Sequence, residues 1–253
     1  MKKVFSLSVL AIVCFSVFAQ PGKKPAVVNK SNPHLKVFYQ AAAASDVPTA
    51  ISALNYYISE NGTNTPFADT LAMLYMQQGG YVQSYYWADL RLKTNPDDNA
   101  LLELKGMALD KLNQPKEAIT VYEKLFAKTQ SPFHGHKLME LQLSIKRLAE
   151  CVATATITER LKFDPSYVVP YNVGEQTGRT YLQASVYNLH GIALYELDQK
   201  AEAKTYFNKA IALDSNYVLA KQNLDAMLAL EKQPAKNNPN NTSLPNNPAN
   251  KQN

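Results

Sequence analysis

The sequence predicts an all-α protein made of stacked helix pairs, and three observations carry that reading. Small residues at Ala50, Ser84 and Ala118 recur at a spacing of 34 and open amphipathic segments, and the same arrangement returns at Ala203. Turn-tolerant residues, Ser45, Gly79, Asn113 and Asp198, stand five positions before these four. Prolines agree with the pattern: Pro33 and Pro66 open first helices, Pro48 and Pro115 fall in the first turn of second helices, and none lies in a predicted helix interior. The composition of the 253 residues, 46% hydrophobic and 19% charged, suits a folded chain and excludes collagen-like or wholly disordered ones.

The chain begins with Lys2 and Lys3 ahead of an apolar run from Val4 to Ala19. At about 16 residues the run is shorter than the roughly 20 a spanning helix needs. Val17 and Ala19 are small residues at the −3 and −1 places before Gln20. Residues 1–19 therefore read as a signal peptide cleaved near Ala19, which predicts a periplasmic or secreted protein. A lipoprotein is the alternative, because Leu10 to Cys14 resembles a lipobox. Against it, Val13 stands where that motif wants a small residue. Cleavage leaves Cys151 alone, so no internal disulfide can form, and its apolar helical setting predicts a buried, inert thiol. Residues 20–32 form a flexible segment in this reading. So does the tail 232–253, in which 12 of 22 residues are Asn or Pro.

Charge divides along the same boundaries. Residues 1–30 and 232–253 carry eight lysines and no acid, whereas 31–231 carries 18 Lys and Arg against 21 Asp and Glu. The body has no basic excess to argue for nucleic acid as a partner.

The repeat can be followed unit by unit. Twelve residues before each small residue come Phe38, Ala72, Gly106 and Gly191; four residues after come Leu54, Ala88, Tyr122 and Phe207. The pattern predicts a helix, a tight turn and a second helix, with small residues where the two approach. Units are predicted at about 33–64, 65–98, 99–132 and 184–217. In the last, Gly191, Leu194, Ala203, Phe207 and Ala210 precede Leu213-Asp214-Ser215-Asn216. These residues resemble the tetratricopeptide repeat. Gly106, Leu109, Ala118 and Tyr122 repeat the resemblance, as do Leu71, Ala72, Tyr75 and Gly79. It implies a right-handed α-solenoid whose first helices line a concave, partner-binding face.

An irregular unit is predicted over 133–165. Its first helix carries the stripe Leu138, Leu141, Ile145, Leu148 and Val152, and its second runs from about Ala153 to Phe163. Residues 166–182 are an insertion. β-Branched and aromatic residues flank a Gly-bounded turn at Gly174 to Gly178, which predicts a short hairpin. Such an arm either caps a repeat junction or carries Tyr167, Tyr171 and Tyr181 to a partner. Residues 218–231 form the capping helix a solenoid needs at its open end.

Catalytic chemistry is sparse. His134 and His136 lack further ligands at useful spacing, so no metal site is predicted. No cofactor fingerprint or nucleophile motif appears, and the chain is read as a non-enzyme without cofactors. The resemblance implies that the outward turns of the first helices present Tyr39, Asp69, Met73, Met76, Gln77, Glu103, Met107, Asp110, Lys111, Gln142, Lys146, Asn188, Ile192 and Tyr195. Some members of the family clamp a carboxylate with Lys and Asn here; Asp69, Met73, Glu103 and Met107 depart from that pattern. The predicted function is an exported monomeric scaffold that binds a protein or peptide segment. An enzyme or small-ligand carrier, its pocket closed by the insertion, is the second reading.

Overall fold

The computed structural model describes residues 32–231. The predicted signal peptide, residues 20–31 and the tail lie outside them. Asn32, assigned from sequence to the flexible segment, is the N-cap of the first helix, its side chain accepting from the N–H groups of His34 at 2.9 Å and Leu35 at 3.3 Å.

The described chain contains five helix pairs: α1 (Pro33–Ala43) with α2 (Val47–Asn61), α3 (Pro66–Gln77) with α4 (Tyr81–Leu92), α5 (Asn99–Lys111) with α6 (Pro115–Thr129), α7 (Pro132–Ser144) with α8 (Leu148–Thr158), and α9 (Leu182–Glu196) with α10 (Lys200–Leu213). The hairpin β1 (Val168–Val173) and β2 (Gln176–Tyr181) separates α8 from α9, and α11 (Val218–Glu231) closes the stack. No helix among the described residues is long and apolar enough to cross a membrane.

One device joins the helices of every pair. Ser45, Gly79, Asn113, Lys146 and Asp198 all have positive φ, between 55° and 78°. The next residue's N–H reaches back five positions: Asp46 to Ala41 O, Gly80 to Tyr75 O, Gln114 to Leu109 O, Arg147 to Gln142 O and Gln199 to Leu194 O, all 2.8–2.9 Å. This is a Schellman closure, which satisfies the last carbonyls of the first helix and aims the chain into the second.

The fourth pair corrects the sequence reading. Lys146 is the turn residue, so the predicted stripe spans two helices: Leu138 and Leu141 lie in α7, Leu148 and Val152 in α8. The second helix ends at Thr158 and does not run from Ala153 to Phe163. The repeated small residue of this unit is Cys151, fully buried, while Ala153 is exposed. Burial pushes the Cys151 thiol pKa strongly up, so it behaves as a small apolar group.

Behind each turn, a residue of the first helix meets one of the second. The β-carbon that Gly106 lacks would lie 2.8 Å from Tyr122 Cε2, and that of Gly191 2.7 Å from Phe207 Cε1. At the matching places of α7 and α8 the sizes are reversed, with Met139 and Ala155, both fully buried. In these three pairs a large residue on one helix is answered by a small one on the other, whereas the first two pairs place Phe38 with Leu54 and Ala72 with Ala88.

The hairpin is docked. Its register pairs Tyr171 with Gly178, whose missing side chain leaves room for the Tyr171 ring. That ring packs on Tyr217 at 4.8 Å, and the Val218 N–H donates to its hydroxyl at 3.3 Å. Thr180 Oγ1 donates to Asp214 Oδ2 at 2.6 Å. The insertion thus clamps the junction of α10 and α11, and Tyr171 is spent on that clamp. Tyr167 and Tyr181 remain exposed.

Candidate functional site

Helices of adjacent units approach one another on the first-helix side: α3 touches α5, α7 touches α9, and α9 touches α11. The outward turns of the first helices form the candidate surface.

Met73, Met76 and Met107 are half-buried; Gln77, Asp110 and Lys111 are exposed, as is Tyr39 on α1. Asp69 turns to the neighbouring helix, where its Oδ1 accepts from Arg91 Nε at 2.5 Å, and Arg91 also donates to Asn64. Its role is therefore to hold the buried Arg91 guanidinium and tie α3 to α4.

On α7 and α9 the structure withdraws five residues from this surface. Gln142 is buried, and Lys146 sits in the turn, paired with Glu196 at 2.8 Å. Asn188, Ile192 and Tyr195 are buried because α9 is packed between α7, α8 and α10, with α11 and the hairpin against it. Counted from the Lys146 turn, the places on α7 that correspond to Glu103 and Met107 belong to His136 and Glu140, with Lys137 beside them. Sequence reasoning missed them by accepting Ala153 rather than Cys151 as the small residue.

These groups form a charged cluster where side chains of α5 and α7 approach one another. Lys137 Nζ donates to Glu140 Oε2 at 2.7 Å, and that carboxylate holds the lysine's pKa above its usual value. His134 Nε2 lies 3.8 Å from Glu103 Oε2, while its Nδ1 meets Thr129 Oγ1 at 2.7 Å. Asp110 has a raised pKa, mainly from burial of its carboxyl, with Lys137, Glu140 and Lys111 in its field. Tyr167, from the base of the hairpin, packs on Phe133 at 5.9 Å, and its pKa is raised by burial and by Glu103.

Beneath the cluster lie buried polar contacts. His136 Nε2 lies 2.8 Å from Ser185 Oγ, and one turn along α9 Asn223 Nδ2 donates to Asn188 Oδ1 at 3.0 Å. Burial lowers the His136 pKa, favouring the neutral ring despite Glu140. The Ser185–His136–Glu140 sequence resembles a nucleophilic relay, but Glu140 stands 3.9 Å from His136 Nδ1 and is bonded to Lys137. Ser185 is also buried. These contacts tie α7 to α9 and α9 to α11. His134 and His136 engage different partners, so this arrangement does not bring them together around one ion.

The tetratricopeptide repeat family profile matches residues 100–127 and 184–217. No curated protein matches the sequence. Solved structures similar to the fold include MamA from Desulfovibrio magneticus RS-1, at 16% identity and TM-score 0.60, covering 76% of this chain and 99% of that one. YrrB, a tetratricopeptide repeat protein with an unusual peptide-binding site, is 14% identical with a TM-score of 0.61, covering 81% and 94%. A tetratricopeptide repeat protein from Parabacteroides merdae ATCC 43184 has 14% identity and a TM-score of 0.60, covering 78% and 72%. The spacing of the turns, the two matched repeats and the shared fold agree: the chain carries two repeats that match the tetratricopeptide family, and it folds as an α-solenoid like those of solved tetratricopeptide repeat proteins, with a β-hairpin inserted before its last helix pair.

Proposed function

We propose that the chain is an exported, non-catalytic scaffold that holds a segment of a partner protein along the first helices α3, α5 and α7. The observation that carries this reading is the trio Met73, Met76 and Met107, half-buried on two helices that touch and flanked by charged groups. Methionine side chains are flexible and polarisable, so such a surface adapts to apolar anchors of varied shape. The signal-like residues 1–19 support a periplasmic or secreted site of action, and the mature chain is proposed to work as a monomer. The hairpin bears on the alternative of a closed small-molecule pocket: it is fastened to the α10–α11 junction, so it is no free lid.

A photo-crosslinking amino acid at Met107 tests the groove against one at Thr120, exposed on the second helix of the same repeat. Adducts with one partner at 107 and none at 120 are expected; the reverse contradicts the proposal. Export is tested by fractionation, with the protein expected in the envelope or medium and retained in the cytoplasm once residues 2–19 are removed.

A further inference from the structure

The geometry points to a seat for one arginine or lysine side chain of the partner segment, between α5 and α7, with Tyr167 and Phe133 as its wall. This inference rests on the groove reading above and adds the chemistry of the guest. Glu103, Asp110 and Glu140 bring three carboxylates to one place, and Lys137 and Lys111 supply two ammonium groups. Among these five groups the carboxylates outnumber the ammonium groups by one.

A second observation is a buried polar atom. His136 is 3% exposed, its Nδ1 has no hydrogen-bond partner, and that atom faces Glu140 at 3.9 Å. A buried polar atom left in this state is costly and marks a place where a further polar group fits. The wall suits the same guest. Tyr167 and Phe133 meet edge to face, and aromatic rings attract a cation held against them, more strongly for a partly desolvated guanidinium. Glu140 opposes the charge of Asp110, so an incoming cation relieves both. The hairpin thereby gains a role beyond clamping α11, since Tyr167 lies immediately ahead of its first strand.

The test is selection of random dodecapeptides, displayed on phage, against the full chain. Selected peptides are expected to carry a basic residue beside apolar ones. Changing that residue to glutamine should weaken binding at least tenfold in solution. The Glu103→Gln/Asp110→Asn double variant should erase the preference for the basic peptide while retaining binding of its glutamine version, and Tyr167→Ala should weaken the basic peptide alone. If the double variant loses its circular dichroism spectrum, Asp110→Asn by itself, at an exposed position, carries the same comparison. Peptides without a basic residue whose binding is lost in Met107→Glu would overturn the seat and leave the groove standing. A basic preference that survives neutralisation overturns the seat as well. Selection that succeeds only after residues 232–253 are removed would overturn it in favour of the chain's own lysine-bearing end. Failure to select any peptide would remove both proposals.

Discussion

Alanine in place of Phe207 is expected to lower stability by about 3–5 kcal/mol, the range for removing a buried aromatic ring. Phe207 is fully buried, between α9 and α10, in the cluster that contains Met139, Ile192, Ala203 and Met227. Its ring fills the space beside Gly191, so its removal leaves a void that glycine cannot close. Chemical denaturation followed by circular dichroism checks the loss; an unchanged midpoint would mean that the ring does not support the helix pair.

Leucine in place of Gly191 is expected to destabilise from the opposite side. A β-carbon there would stand 2.7 Å from Phe207 Cε1 and 2.8 Å from Cδ1, and the buried ring has no exposed space into which to swing. Overpacking of this kind costs about 3 kcal/mol, while the gain in helix propensity over glycine offsets only about 1 kcal/mol. The net loss is about 2 kcal/mol, a fall in melting temperature of roughly 4–8 °C for a chain of this size. Gly106→Leu, facing Tyr122, should behave alike. Combining Gly191→Met with Phe207→Ala reproduces the Met139 and Ala155 arrangement of the fourth repeat, and its cost should fall well below the sum of the two single changes.

The repeat was legible because its marks are backbone requirements. Ser45, Gly79, Asn113 and Asp198 tolerate or invite the left-handed conformation, and all four adopt it. Lys146 takes the same conformation without any such signal, and an uninterrupted apolar spacing across it disguised the break between α7 and α8. Cys151 was read as a buried thiol, but its volume also makes it the small residue of the fourth unit.

The candidate residues of α3 and α5 are accessible apart from Asp69, which is tied to Arg91, whereas those of α9 are buried. Leu182 to Tyr195 contains no Asp, Glu, Lys or Arg, and a helix without a charged side is an enclosed one. That signal outweighs the family's usual placement of Asn188, Ile192 and Tyr195. The hairpin was foreseen, and so, as one of two alternatives, was its capping of a repeat junction; the contacts that dock it were not. The Tyr171 contacts with Asn216, Tyr217 and Val218 join residues some 45 apart in sequence, which no local pattern encodes.

The described methionines divide into a test of the groove itself. Met73, Met76 and Met107 line the proposed surface, whereas Met139 and Met227 are fully buried in the core. With carbon-13 in the methionine methyls, addition of a bound partner segment should move the resonances of 73, 76 and 107 and leave those of 139 and 227 in place. Assignment follows from single Met→Leu substitutions. Bound segment with all three groove methyls unmoved, or with shifts confined to 139 and 227, would contradict binding along the first helices.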